Sequence, residues 1–161
     1  MSSGRFHIKS NKFPVLQQDL DECCNPGTYG KSLADFLGRQ LSNQGYIIED
    51  IFAEDFGWWI DINQGELRSH IVLRRASDSD AISDYAISID NKTSRWSWKK
   101  FRFLDLSSLQ SDIVDSVYHI ISMDSEIELI ARDFDTYPDR LMNPHNKTQQ
   151  NETDKVANKS Q

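Results

Sequence analysis

The chain is poor in cysteine and contains no long apolar run. Its two cysteines, Cys23 and Cys24, are adjacent, so they lack the C-x-x-C spacing of a zinc or redox site, and neighbouring cysteines rarely form a disulfide with each other. No run of about 18 apolar residues is available to span a bilayer, and residues 1–10 contain no apolar core of a secretory leader. We therefore expect free thiols, a cytoplasmic location and no membrane partner.

The sequence also lacks the short motifs that carry common chemistries. It has no G-x-S-x-G nucleophile elbow, no phosphate-binding P-loop and no dinucleotide-binding fingerprint. The histidines, His7, His70, His119 and His145, are isolated from one another, so no metal-ligand spacing such as H-E-x-x-H occurs. These absences predict a protein that is not an enzyme and that holds neither a metal nor a cofactor.

Large apolar side chains are almost missing from residues 143–161. The single valine of this segment cannot offset the entropy that ordering the segment would cost. The preceding residues are numerous enough to bury a core without a metal or a disulfide. We predict one folded domain over residues 1–142, followed by a disordered C-terminal tail over residues 143–161.

Basic residues are fewer than acidic residues in this chain. The chain has 18 Lys and Arg against 25 Asp and Glu, a formal net charge of -7. The tail carries three lysines and two acids, so the domain itself is near -8, one charge more negative than the whole chain. A negative electrostatic field of this kind disfavours binding to nucleic-acid backbones and to anionic lipid, and it favours binding to a basic partner.

Two segments carry the period of an amphipathic helix. The first is predicted to begin at Ser32 as its N-cap and to end before Gly45, a glycine in the C′ position. The second covers residues 107–122, with Ser107 in a capping box or Asp105 as its N-cap. Each helix presents one apolar stripe, which must pack against another surface.

Between and around these helices the sequence alternates as β-strands do. Short turns join the strands, and short connections do not allow parallel crossovers. We therefore predict an α+β fold in which an antiparallel meander sheet of four or five strands has two amphipathic helices packed on one face. The candidate strands of the meander are the segments YIIEDIF, GWWIDI, LRSHIVLR and DYAISID, with a fifth within RWSWKKFRFL. Outside it, Phe6 and Ile8 flank His7 in a short possible strand, and EIELIARDF is either a final strand, which its alternation favours, or a short helix.

The stretch EDFGWWIDI places two tryptophans side by side in one strand. Successive side chains of a strand face opposite sides of its sheet. Trp58 shares a face with Ile60, which makes it the core candidate, whereas Trp59 shares a face with Asp61 and is the candidate for an exposed anchor at a partner surface. Asp55 is expected to accept backbone hydrogen bonds in the preceding turn.

The same region resembles a known group of proteins. NPGTYGKSLADFLGRQLSNQGY followed by EDFGWWIDI is similar to small bacterial proteins of unassigned function that share a Tyr-Gly turn, a Leu-Ala helix and a Glu-Asp-aromatic-Gly-Trp signature opening a strand. The resemblance covers about Asn25 to Ile62. It implies an α+β fold in a bacterial or phage setting, and it brings no catalytic residues with it.

Compact size, negative charge and missing catalytic motifs together favour a non-enzymatic binding module. We expect it to dock on a basic protein such as a nuclease, as an immunity protein, an antitoxin or an anti-defence inhibitor does, with carboxylates occupying a phosphate-binding groove. The residues predicted to form the contact surface are Glu54, Asp55, Trp59, Asp61, Asp78, Asp80 and Asp84.

A small hydrolase or transferase with a site on the open face of the sheet is the first alternative. It requires His70, Asp61 and Glu54 to converge, because proton transfer needs hydrogen-bond reach or one bridging water.

A binder of single-stranded nucleic acid is the second alternative, since RWSWKKFRF interleaves rings with cations. Against it, the acidic surroundings predict that the rings are core and that the cations meet internal carboxylates, those of Asp78, Asp80, Asp84 and Asp90. Nucleic acid is therefore not the expected partner. The cations this alternative needs are Arg74, Arg75, Arg95, Lys99, Lys100 and Arg102.

Overall fold

The computed structural model describes residues 4–22, 25, 28–75, 83–90 and 94–133. The predicted tail over 143–161 and the predicted domain end at residue 142 lie outside these ranges. None of the described helices is long and apolar enough to cross a membrane. In chain order the elements are β1 (Arg5–Ser10), α1 (Gln17–Glu22), α2 (Lys31–Asn43), β2 (Ile47–Glu54), β3 (Gly57–Gln64), β4 (Leu67–Arg75), β5 (Ser83–Ile89), β6 (Ser94–Ser97), β7 (Arg102–Asp105), α3 (Ser107–Met123) and β8 (Glu128–Arg132).

The main sheet is antiparallel, and its strands lie in the order β2-β3-β4-β5-β1-β8. Strands β2 to β5 form the predicted meander, so the α+β antiparallel class is confirmed. The predicted count of four or five strands is wrong, because β1 pairs with the free edge of β5 and β8 then pairs with β1. The short α1 is a third helix in addition to the two predicted ones.

The hairpin between β2 and β3 is closed by a two-residue connection, and Glu54 pairs with Gly57 across it. Gly57 has φ 150°, and a Cβ at this position would lie 2.0 Å from the carbonyl oxygen of Leu73 on β4. Glycine is therefore required here by the close approach of a neighbouring backbone. The next hairpin turns at Gly65, with φ 66°, and joins the paired ends of β3 and β4.

The core lies between the sheet and helices α2 and α3, which pack on the same face, here called the inner face. Trp58 is fully buried there, as predicted, and so are its strand neighbours Ile60 and Ile62. Burying an indole of 150–250 Å² contributes about 4–6 kcal/mol. The inner-face strand residues pack with helix residues that include Leu33, Leu37, Leu41, Ile113, Val117 and Ile121.

The start of α2 differs from the sequence prediction. The helix begins at Lys31, and Ser32 is not its N-cap, since the Ser32 hydroxyl donates to the Pro14 carbonyl instead. The first backbone N–H groups of the helix are satisfied by the buried Asp19 carboxylate of α1, which accepts from Gly30 N at 2.8 Å and from Lys31 N at 2.9 Å. A capping carboxylate from a separate helix is not visible as a local motif.

The other helix ends agree more closely with the predictions. Gly45 has φ 94° just beyond α2, which confirms it as the C′ glycine. For α3 the N-cap residue is Leu106, so both predicted caps are wrong. Asp105 nevertheless accepts hydrogen bonds from the Ser107 N–H and hydroxyl, at 2.9 and 2.6 Å, and so stabilises the start of the helix.

Strands β6 and β7 form a two-stranded sheet of their own. The sequence prediction made this segment a fifth strand of the meander, and that is wrong. Trp96 pairs with Phe103, and Ser97 pairs with Arg102. Ser97 and Leu104 are buried, so one side of the hairpin faces the rest of the protein while Trp96 and Phe103 lie on its other side.

Candidate functional site

The face of the sheet opposite α2 and α3 is here called the outer face. It is formed by the residues that alternate with the core positions of each strand. On β2, β3 and β4, Asp50, Asp61 and His70 lie in one row across the strands, and Phe52 lies beside Trp59 in a neighbouring row. Neither of the two long helices covers this face. Its residues on β2, β3 and β4 range from half-buried to exposed, whereas His7 on β1 and Ala86 on β5 are buried, so only the β2–β4 part of this face is accessible to a partner.

Trp59 is central to a cluster of rings on the outer face. Its ring centroid lies 5.5 Å from that of His70, 6.2 Å from that of Phe52 and 6.4 Å from that of Phe56. The two adjacent indoles therefore do face opposite sides of the sheet, Trp58 inward and Trp59 outward. Trp59 is half-buried by these neighbours, so it is more covered than the exposed anchor that the sequence predicts. Its buried indole N–H has no hydrogen-bond partner among the described residues.

Two of the three residues of the enzyme alternative meet on this face. His70 Nδ1 lies 2.6 Å from Asp61 Oδ1, and the two side chains are 31% and 28% exposed. Glu54 does not join them: it pairs with Gly57, four residues along β3 from Asp61, which is a separation of about 13 Å at 3.3 Å per residue. The required convergence is absent.

In the part of the chain that the structure describes, no hydroxyl nucleophile of serine, threonine or tyrosine is hydrogen-bonded to the His70–Asp61 pair. A histidine oriented by a carboxylate activates a nucleophile only within hydrogen-bond reach of it. As arranged here, the pair is a polar contact across two strands of the outer face.

The edge strand β2 and its turn carry the acidic residues Glu49, Asp50, Glu54 and Asp55, which together are here called the acidic edge. All four are exposed, and no lysine or arginine occurs in the segment from Ile47 to Asp55. Described polar groups contact two of them: Asn63 Nδ2 donates to Glu49 at 2.6 Å, with Arg68 3.9 Å from the same carboxylate, and the Ile51 N–H donates to Asp50 at 2.9 Å.

Asp55 does not have the turn role expected of its side chain. Among the described residues, none donates a hydrogen bond to its carboxylate, whereas its backbone carbonyl accepts from Asn25 Nδ2 at 2.5 Å. The carboxylates of Asp55 and Glu54 therefore remain available to solvent or to a partner.

Of the three predicted contact residues in the loop before β5, the structure describes only Asp84, and Asp84 does not join the acidic edge. Asp84, at the start of β5, is only 13% exposed and accepts a hydrogen bond from the buried His7 ring at 2.8 Å. Asp78 and Asp80 lie outside the described residues. Of the seven predicted contact residues, the structure therefore brings four, Glu54, Asp55, Trp59 and Asp61, to β2, β3 and the turn between them.

The segment from Ser94 to Asp105, here called the aromatic hairpin, exposes most of its ring surface. Trp98, Phe101 and Phe103 are 76%, 75% and 70% exposed, and Trp96 is 37% exposed. The rings form a series in which Phe103 contacts Trp96, Trp96 contacts Trp98, and Trp98 contacts Phe101, with centroids 5.1, 6.0 and 6.4 Å apart and nearly perpendicular planes. The expectation that these rings are core is wrong.

Two cations of this hairpin contact Glu66, which was not among the carboxylates predicted for them; of the predicted ones, Asp78 and Asp80 lie outside the described residues. Lys100 Nζ lies 3.1 Å from the Glu66 carboxylate, and Arg95 donates to the Glu66 carbonyl at 3.2 Å. Lys99 and Arg102 have no ion pair or hydrogen bond with the described residues.

Arg74 and Arg75, grouped with these cations in the nucleic-acid alternative, lie elsewhere. Arg74 sits over the Phe56 ring at 5.1 Å, and the buried Arg75 lies 5.9 Å from the Tyr29 ring.

Among the described residues, no group of three or more His, Cys, Asp or Glu side chains is placed to hold a metal ion. A scan of the sequence against protein-family models, a search of curated proteins and a search of solved structures each find no match. The resemblance of residues 25–62 to small bacterial proteins therefore stays a prediction, and function has to be argued from the surfaces themselves.

Proposed function

We propose that this chain is a non-enzymatic binding protein that docks on a basic protein, such as a nuclease, in the manner of an immunity protein, an antitoxin or an anti-defence inhibitor. The observation that carries the proposal is the acidic edge. Four exposed carboxylates lie along one strand and its turn without a cation in the same segment. Their spacing is fixed by the sheet, so a partner meets a preorganised row of charge.

Apolar surface next to these charges supports a docking role. Phe56 is 48% exposed between Asp55 and Gly57, and Ile47, at the start of the same edge strand, is 60% exposed. Trp59 and Phe52 lie behind Phe56 on the outer face. Aromatic anchors beside charged groups are typical of binding hot spots, and the negative field accelerates encounter with a basic partner at low salt.

Charges on an edge strand also have a purely structural use, because they prevent pairing with another chain. The two roles are separated by capturing proteins from a lysate of the source organism on three immobilised forms of the chain: the wild type, the Glu54→Lys/Asp55→Lys variant, and a matched Glu22→Lys/Asp112→Lys control. Both variants change the net charge by the same amount, and the control positions are exposed on α1 and α3.

We expect one basic protein to be retained by the wild type and by the control but lost by the Glu54→Lys/Asp55→Lys variant. After purification, that protein should associate with the wild type at a rate that falls as salt is raised. Recovery of the same proteins on all three forms would contradict the proposal, because the acidic edge would then not contact a partner.

A further inference from the structure

The aromatic hairpin exposes more apolar surface than its size requires. An aromatic side chain presents roughly 150–250 Å², so the exposed parts of Trp98, Phe101 and Phe103 amount to on the order of 400 Å². The largest apolar patch on a typical monomer is of this size and often has a function. Leu104 and Ser97 already anchor the hairpin to the protein, so folding does not account for the outward rings.

The ring faces are also not used by any cation that the structure describes. Elsewhere in the molecule, lysine or arginine side chains lie over aromatic rings at 4.3 to 5.9 Å. Within the described residues, none of the four hairpin rings has such a cation, although four cations lie in the same short segment. The pairs found elsewhere are Lys12 with Phe36, Lys31 with Trp58, Arg74 with Phe56, Arg75 with Tyr29, and Arg132 with Phe6 and Tyr118.

The tip of the hairpin is held in a conformation that costs energy. Phe101 has φ 48°, in the left-handed region that L-residues other than Asn and Asp rarely adopt. No burial offsets this cost, since the ring is 75% exposed. Strain of this kind is typical of sites where a side chain is presented to a ligand.

We propose that the aromatic hairpin binds single-stranded nucleic acid, with bases stacking on Trp98, Phe101 and Phe103 and with a phosphate held by Lys99 in the turn between β6 and β7. Charge supports an anionic ligand: the hairpin carries four cations and one acid, Asp105, in a chain that is otherwise acidic. Stacked rings and phosphate-pairing cations on strands are how such proteins bind unpaired bases without sequence preference.

The kind of apolar group distinguishes this ligand from a lipid surface. Every exposed large apolar side chain of the hairpin is aromatic, and its one large aliphatic residue, Leu104, is buried. Base stacking needs the flat face of a ring, whereas insertion into a membrane interface also uses aliphatic side chains. The net negative charge of the whole chain predicts that binding is modest and strongly weakened by salt.

The test is a titration of the full chain into a fluorescein-labelled, mixed-sequence 12-nucleotide strand at about 50 mM salt, followed by fluorescence anisotropy. The same sequence is presented as DNA, as RNA and as a duplex, and vesicles containing phosphatidylserine form a separate arm. We expect the single strands to bind, the duplex to bind more weakly, and the vesicles not to bind. Comparing DNA with RNA shows which strand is preferred.

Variants then locate the binding surface. Trp98→Ala/Phe101→Ala should weaken strand binding at least about tenfold, because two stacking platforms are lost. Lys99→Ala should reduce the slope of log affinity against log salt by about 0.7, the value for one phosphate contact. Phe56→Ala is the control for an exposed ring and Arg39→Ala the control for an exposed cation, and neither should alter binding.

Several results would overturn the inference. These are no strand binding at low salt, binding of vesicles without binding of strands, and equal weakening by the Phe56→Ala control. Glu54→Lys/Asp55→Lys shares no residue with the hairpin and should not weaken strand binding, so failure of this inference is distinguishable from failure of the acidic edge as a docking surface. All the substituted side chains are exposed, and circular dichroism checks that the variants fold.

Discussion

The chain contains two pairs of tryptophans, and their surroundings differ. Trp58 and Trp59 lie in the central sheet, where one is fully buried under the helices and the other is half-buried by rings on the outer face. Trp96 and Trp98 lie in the aromatic hairpin, where they are 37% and 76% exposed. The difference follows from what contacts each ring: Trp58 lies under α2 and α3 and Trp59 is packed by Phe52, Phe56 and His70, whereas Trp96 and Trp98 contact only other rings of the hairpin among the aromatic side chains described.

The largest difference in stability is expected when one indole is removed from each pair. Trp58→Ala should lower the free energy of unfolding by about 3–5 kcal/mol, because it leaves a cavity in the core. Trp98→Ala should change it by less than about 0.5 kcal/mol, as exposed substitutions usually do. Urea unfolding followed by circular dichroism measures both values. If the two losses were similar, the hairpin rings would be packed against something and the contrast between the pairs would fail.

The sequence predicts the first pair better than the second for a physical reason. Adjacent residues of a strand face opposite sides, so the doublet Trp58-Trp59 must place one ring inward. Trp96 and Trp98 are two residues apart, so strand alternation would place them on one side and predicts that both are buried or both are exposed; in the structure Trp98 lies in the turn beyond β6. The pattern cannot choose between these outcomes, because the choice depends on what packs against the hairpin.

Strands could be predicted from local alternation, β1 and β8 among them, but the place of β1 and β8 in the sheet could not, because it depends on distant pairing. The meander from β2 to β5 follows from alternation and short turns, so its class and order agree with the structure. Strands β1 and β8 come from opposite ends of the described chain and are brought together by the edge of β5. The carboxylate of Asp19 at the start of α2 is likewise a tertiary contact.

The contrast between local alternation and distant pairing also explains which part of the candidate site could be predicted from the sequence. Trp59 and Asp61 were placed on the outer face by strand period alone, and Asp61 was found beside His70 as the enzyme alternative required. Glu54 failed to join them because register moves it four residues along the strand. Register and sheet order are properties of pairing, and a single strand does not reveal them.

A second comparison concerns the two glycines that close the hairpins of the sheet. Gly57→Ala should cost about 3 kcal/mol, the upper end for a strained backbone, because the new Cβ would meet the Leu73 carbonyl oxygen at 2.0 Å. Gly65→Ala should cost only about 1 kcal/mol, since its positive φ is unfavourable but the surrounding space is open. Both costs are measured from the midpoints of urea unfolding, provided that the dependence of the unfolding free energy on urea concentration is the same in both variants. Equal costs would show that β3 and β4 separate easily at Gly57.

The partly covered members of the two pairs give a finer test. Trp59→Ala should cost about 1–2 kcal/mol, because the ring loses contacts with Phe52, Phe56 and His70. Trp96→Ala should cost less than about 1 kcal/mol, the range of one cross-strand pair, here with Phe103. Thermal unfolding of both variants checks the order. A larger loss for Trp96→Ala would mean that the hairpin is part of the cooperative core.

The smallest expected effect is a dependence on pH at the two ends of α3. Hydrogen bonds from the Ser107 hydroxyl and N–H lower the pKa of Asp105 at the base of the hairpin, and the hydrogen bond from Lys12 lowers the pKa of Asp124 beyond the other end of the helix. A carboxyl whose pKa is lower in the folded state stabilises the protein above its unfolded pKa of 3.8, and this contribution is lost as the pH falls through the folded value. Urea unfolding between pH 7 and pH 3 should therefore show a smaller loss of stability for Asp105→Asn and for Asp124→Asn than for the wild type.

The Asp112→Asn variant is the control for this measurement, because its exposed carboxylate on α3 has no hydrogen bond or ion pair among the described residues. Its stability should fall between pH 7 and pH 3 as that of the wild type does.

At alkaline pH the sign of the dependence reverses for Lys12, whose pKa is raised by the carboxylates of Asp124 and Glu126. Its contribution to stability is therefore lost as the pH rises through the folded pKa, which lies above 10.5. If Asp105→Asn leaves the loss of stability between pH 7 and pH 3 unchanged while Asp124→Asn reduces it, only the Asp124–Lys12 contact at the C-terminal end of α3 is coupled to global unfolding. The hairpin side would then open on its own, which is the expected behaviour of an element held by few buried contacts.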